Sequence, residues 1–137
     1  MKKLYGVIAV VVIVVLAVAA YFSSSSNVDP TAVKHETNRW AVIEDMNGDK
    51  MAVETVWNET WAELVQMRQN GSRLWVGSFV ETYDNKWGFR LDPGNLTVAQ
   101  VAEEDLQVTI RYVSASLNGW LGRFVYISAK VVDVNSP

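Results

Sequence analysis

Three kinds of hydrophobic patterning divide this chain. Leu4 to Phe22 is an unbroken apolar run of 19 residues without charge or proline, preceded by Lys2 and Lys3. As a helix it reaches roughly 28 Å, close to the hydrocarbon thickness of a bilayer. The pattern predicts an N-terminal transmembrane helix in contact with the lipid bilayer through residues 4–22. Lysines on the short flank favour a cytoplasmic N-terminus, so the remainder is expected outside, as a single-pass protein of the cell membrane. The alternative is a removable signal, because Ala17-Val18-Ala19 has the small-x-small form of a cleavage site; cleavage near Ala19 would release a secreted domain. The run exceeds the roughly 7–15 residues usual for signal cores, and Tyr21-Phe22 suit a membrane–water interface. A retained anchor over residues 1–22 is therefore the expectation.

Residues 23–38 change character. Four serines, Asn27, Asp29-Pro30 and a polar run offer no apolar period to bury, so this stretch reads as a Ser-rich linker. His35, the one histidine, falls in it and is expected to be solvated.

From residue 39 short β-like runs alternate with turns. Trp40–Ile43 and Met51–Val56 flank Asn47-Gly48, a strong hairpin signal. Asn58 to Gln69 reads as a helix with Trp61, Leu64, Val65 and Arg68 on one face, a capping-box spacing at Thr60 and Glu63 with Asn58 as a competing cap, and a stop at Asn70-Gly71. Strands are expected over Leu74–Thr82, around Trp87, Phe89 and Leu91, and over Leu96–Ala102. Glu103, Glu104 and Asp105 place negative charge at a helix start. Leu106, Ile110, Val113 and Leu117 then make an amphipathic stripe, ended by Asn118-Gly119. A last strand runs from Arg123 to Val134. The order β-β-α-β-β-β-α-β predicts an α+β domain over 39–137, with two helices on one face of a mainly antiparallel sheet.

Charge narrows the partners. The chain has 12 basic and 15 acidic residues; setting Lys2 and Lys3 aside leaves 10 against 15, a net charge of −5 for the exported part. Nucleic acid is therefore not an expected partner, since it requires a basic patch. There is no cysteine, so neither a disulfide nor a lipidated anchor is available, and a prokaryotic surface is the easier home.

Candidate chemistry is sparse. Asp45-Met46-Asn47-Gly48-Asp49 begins like a calcium loop, but Lys50 and Val56 stand where the required Gly and bidentate Glu belong, so a hairpin turn is expected and no metal site. Thiol and histidine nucleophiles are missing, no phosphate-binding Gly-rich loop occurs, and no cofactor is implied. A hydrolase or lyase built on carboxylates among Glu81, Asp84, Asp92, Glu103 and Glu104 remains a rival to a non-enzyme. Turns select Asp and Asn on conformational grounds, so Asp84 and Asn85 are weak ligand-binding candidates.

The six tryptophans carry more information. Trp61 and Trp87 fall on apolar faces and are expected to be buried. Trp57, at a strand–helix junction, and Trp75, on a strand of mixed character, are the candidates for an unknown extracytoplasmic ligand or protein partner. Asn58, Asn70 and Asn95 head glycosylation sequons, at positions where turns and caps also favour Asn. The leading expectation is a binding or interaction module without catalysis; a structural subunit of a surface assembly is a further alternative.

Tyr83 to Thr97, YDNKWGFRLDPGNLT, resembles the domain found at the N-terminus of a calmodulin-binding protein and in many secreted prokaryotic proteins. Tyr83, Trp87, Phe89, Leu91, Asp92 and Pro93 carry the likeness, with Asn85 consistent. It extends through Val76-Gly77 upstream and Ala102-Glu103, Tyr112-Val113 and Trp120 downstream. The resemblance implies a small α+β module over most of Trp40 to Val134. Many relatives have cysteines that this chain lacks, so no cysteine role transfers. Calmodulin binding does not follow either, since no basic amphipathic helix is present.

Overall fold

Asn47-Gly48 turns the chain where the pattern places the turn. Gly48 takes φ 82°, and its N–H donates to the Asp45 carbonyl at 3.1 Å. The flanking strands, β1 (Trp40–Asp45) and β2 (Lys50–Glu54), pair antiparallel from Trp40↔Glu54 to Glu44↔Lys50. The Asp45 carboxylate shapes the turn, accepting from the Asn47 and Asp49 N–H groups at 2.9 and 3.1 Å. The computed structural model describes residues 35–135. The anchor or signal segment, its cleavage site and the linker as far as Lys34 lie outside these residues.

Helix α1 (Asn58–Asn70) follows. Its start differs from the expected capping box: Trp57 stands at the cap without a side-chain bond, and the Thr60 hydroxyl donates to the Leu96 carbonyl instead. The buried face is also rotated. Leu64 and Met67 are buried while Arg68 is exposed, because Met67 supplies apolar surface that Arg68 cannot. Gly71, at φ 69°, ends the helix as predicted and donates to the Met67 carbonyl.

The other strands are β3 (Leu74–Thr82), β4 (Phe89–Leu91), β5 (Thr97–Ala99), β6 (Gln107–Val108) and β7 (Phe124–Val134). They form one seven-stranded sheet with the path β2-β1-β7-β3-β4; β5 pairs with β3, and β6 pairs with β7 as the one parallel neighbour among the described strands. The result is a mostly antiparallel sheet with a few helices, an α+β arrangement.

The second helix is corrected. The continuous helix expected after Glu103 is a 3₁₀ turn (Glu104–Leu106), strand β6, and two short helices, α2 (Ile110–Ala115) and α3 (Leu117–Trp120). Two residues explain the break. Thr109 caps α2 by accepting from the Tyr112 N–H at 3.3 Å, and the Ile110 N–H is held by the buried Asp45 carboxylate at 2.9 Å. Of the apolar stripe, Ile110 and Val113 are buried and Leu117 packs against the core.

The sheet curls until β2 comes alongside β4. Side chains and turns bridge this seam. The Trp87 indole N–H donates to the Lys50 carbonyl at 2.7 Å, and the Val56 N–H to that of Pro93 at 3.4 Å. The concave side holds Ile43, Met51, Val53, Val76, Val80, Phe89, Leu91, Val125 and Ile127 against Leu64, Met67, Ile110 and Val113. Phe89 and Leu91 are fully buried as predicted; Trp87 is only half-buried, because its indole spans the seam with an edge in water.

Candidate functional site

Alternation sends every second residue of these strands to the outer face of the sheet, and the outer face differs from place to place. At the seam it is charged. Glu54 on β2 is 4 % exposed, and its carboxylate accepts from the Glu36 and Thr37 N–H groups at 3.0 and 2.8 Å. It also lies 3.1 Å from His35 Nδ1. His35 stacks on Trp40 with ring centroids 4.5 Å apart and planes 8° from parallel. The histidine expected to be solvated is thus docked, and residues 35–37 form a strap across the seam.

Arg90 on β4 completes the cluster. It pairs with Glu81 at 2.6 Å and with Glu36 at 3.1 Å, lies 3.8 Å from Glu54, and sits over the Tyr83 ring at 4.4 Å. Burial disfavours its charge, but hydrogen bonds to Glu81 and Glu36 outweigh that and raise its pKa. Burial, chiefly, pushes the Tyr83 phenol up as well.

Four of the five carboxylates considered for catalysis lie apart from this cluster. Glu81 joins it as an ion pair. Asp92 accepts from the Gly94 N–H at 3.0 Å and from the Asn95 amide at 2.6 Å, which shapes its own turn. Glu103 and Glu104 lie exposed at the 3₁₀ turn, and Asp84 is exposed at the tip after β3. Among the described residues, no group of three or more His, Asp or Glu side chains is placed to hold a metal ion.

Asn85 is a turn-former. Its carbonyl oxygen accepts from the Trp87 and Gly88 N–H groups at 3.0 and 2.8 Å, and its amide donates to the Phe89 carbonyl at 2.7 Å. Trp57 is 56 % exposed, yet its indole N–H donates to the Gly94 carbonyl at 2.7 Å and pins the Asp92–Asn95 turn. The sequon asparagines are exposed and locally bonded: Asn58 accepts from Arg39, Asn70 from the Ser72 N–H and hydroxyl, and Asn95 donates to Asp92.

Trp75 sits differently. Across β3 and β7 the outer face is aromatic, with Phe79 opposite Phe124, Gly77 opposite Tyr126 and Trp75 opposite Ser128. Phe124 meets both Phe79 and Tyr126 edge-on, at 5.2 and 5.1 Å. Gly77 makes the row fit, since a Cβ there would lie 2.4 Å from the Tyr126 ring. At Ser128 the neighbour of β7 changes from β6, whose last residue Val108 lies opposite Ile127, to β1, whose last residue Asp45 lies opposite Ala129. An open groove of about 350 Å³ lies at this changeover, lined by Asp45, Met46, Trp75, Gln107, Val108, Thr109, Tyr112 and Ser128.

The groove brings together one sequence candidate, Trp75, with Met46 and Tyr112, which periodicity did not mark. Met46 is 74 % and Tyr112 58 % exposed. An exposed Tyr112 on the solvent side of the apolar stripe was a readable signal, but nothing local links it to Trp75. The site can hold a ligand against aromatic and thioether surface, with Thr109, Ser128 and Gln107 as hydrogen-bonding groups. Comparisons of the chain with protein-family models, with characterised proteins and with solved structures find no match.

Proposed function

We propose that this chain is a membrane-tethered, extracytoplasmic binding module without catalysis. Residues 4–22 would anchor it in the cell membrane with the N-terminus inside, and the Trp75–Tyr112 groove would face the ligand or partner. The observation that carries the binding part is the placement of Trp75, Tyr112 and Met46 around one open groove on the solvent side of a full core. Aromatic groups at a concave surface are the usual anchors of recognition. The Leu4–Phe22 run with its Lys2-Lys3 flank supports the topology. Kinship of Tyr83–Thr97 with the calmodulin-binding-protein type of N-terminal domain belongs to the same proposal and bears on fold, not on ligand.

Two measurements test it. Protease added to intact cells is expected to degrade the domain while an internal control survives, and full protection overturns the topology. Tryptophan emission of the full chain in micelles, titrated with oligosaccharide and peptide pools, should respond to at least one pool. That response should vanish in Trp75→Ala and persist in Trp57→Ala. Silence with both pools overturns the binding reading.

A further inference from the structure

We propose that the groove binds a neutral oligosaccharide, an inference that rests on the binding reading above. Its lining has one charged side chain, and that one is already engaged. The one carboxylate that lines it is Asp45, which is 2 % exposed. Both its oxygens are engaged, Oδ1 by the Asn47 and Asp49 N–H groups and Oδ2 by that of Ile110. Two guanidinium groups belong to residues beside the lining, and both are bonded: Arg111 to Asp49 at 2.7 and 3.1 Å, and Arg73 to the Ser128 carbonyl at 3.0 Å. A cationic ligand would lose hydration here and find the Asp45 carboxylate already engaged, and an anionic one would find both guanidinium groups already bonded.

The remaining groups suit a polyhydroxyl compound. The Ser128 and Tyr112 hydroxyls donate and accept, as sugar hydroxyls do; the Thr109 hydroxyl, which already accepts from the Tyr112 N–H, can donate, and Gln107, whose amide nitrogen is bonded to the Ala102 carbonyl at 3.0 Å, adds its amide oxygen. A pyranose ring presents C–H groups on its face and hydroxyls on its rim. Its face can lie on the electron-rich surface of Trp75 or Tyr112 while the rim reaches those side chains. The open form of the groove lets a chain of sugars run through it rather than requiring an enclosed monomer. An extended peptide adding as a strand is less well served. Arg73 already donates to the Ser128 carbonyl at 3.0 Å, and β6 and β1 occupy the β7 edge on either side.

The test uses the full chain in a zwitterionic detergent without a sugar headgroup. Cellohexaose and chitohexaose are titrated while tryptophan emission and heat are recorded, in parallel with an oligogalacturonate and a pool of uncharged decapeptides. A neutral hexasaccharide is expected to bind with Kd of about 1 mM or tighter. Trp75→Ala and Tyr112→Ala should each weaken it by about tenfold or more, equivalent to about 1.4 kcal/mol. Trp57→Ala should leave it unchanged. Trp75→Phe keeps a ring and should restore part of the affinity, which separates lost stacking from misfolding. A response to peptide alone that depends on Trp75 overturns the saccharide assignment and leaves the binding reading standing. Saccharide binding that survives both alanine variants overturns the site. Silence with every probe overturns both.

Discussion

At the β2–β4 seam the outer face of the sheet carries Glu54, Arg90 and Glu81, and the chain covers them with its own residues 35–37. Across β3 and β7 the same face carries Trp75, Phe79, Phe124 and Tyr126, and Phe79 stays 40 % exposed. The difference follows from what each group needs. A shielded carboxylate must be given hydrogen-bond donors, and the strap supplies two N–H groups and a histidine. Aromatic rings can keep one side in water provided the other is packed, as Tyr126 is on Gly77. The charged region is covered from within the chain, with Arg90 Nη1 left 3.8 Å from Glu54; the aromatic region ends in a groove that something else can fill.

The largest test of this contrast is Glu54→Ala. It removes the acceptor of the Glu36 and Thr37 N–H groups and a neighbour of Arg90, and should cost about 3–5 kcal/mol, read by denaturant unfolding. The double change of Glu54 and Arg90 to Met should cost less than the two single changes together. A Glu54→Ala loss below about 1 kcal/mol would mean that the strap is not held as described. Trp87→Ala should cost about 2–3 kcal/mol, less than a fully buried indole, since the ring is half-buried and loses one bond to Lys50.

On the aromatic side, Gly77→Ala should cost about 1–3 kcal/mol. The added methyl meets the Tyr126 ring and, at 2.9 Å, the Val125 carbonyl. Adding Tyr126→Ala should relieve only part of that, because the backbone contact stays. Tyr112→Ala removes an edge-on contact with Trp120 at 5.8 Å and should cost about 0.5–1.5 kcal/mol. The smallest effect concerns Tyr83. Its pKa is raised in the folded state, mainly by burial, so folding favours the protonated phenol. This contribution is present below the ordinary value of about 10 and is lost as pH climbs from there through the folded value. Unfolding curves between about pH 9 and 12 should flatten in Tyr83→Phe relative to the parent.

Much of the sheet was readable because its signals are local. Asn47-Gly48, Gly71 and the alternation of Phe89 with Leu91 each specify a conformation from adjacent residues. The region after Glu103 was not readable in this way. Ile110, Val113 and Leu117 have helical spacing, but Gln107 and Val108 join β7, and a two-residue strand leaves no period of its own. The strap was hidden for another reason. His35 and Glu36 look like linker, and their partner Glu54 lies 18 to 19 residues away, on the outer face of β2. Trp75 was legible as a candidate; its meeting with Tyr112 depends on where β6 stops, which the sequence does not announce.

The strap also fixes where tension enters the domain. Its last residues lead into β1, and the Asn135 N–H and side-chain amide, at the end of β7, donate to the Trp40 and Asn38 carbonyls at 2.9 and 2.7 Å. β1 and β7 are antiparallel neighbours, so a pull that separated Asn38 from Asn135 would open their hydrogen bonds one at a time, like a zip. A pull arriving from the residues before His35 meets the Glu54 carboxylate first. Contacts from three consecutive residues to that carboxylate must yield before β1 is drawn on. The seam thus shields the weakest direction of the sheet from the side on which the chain comes in.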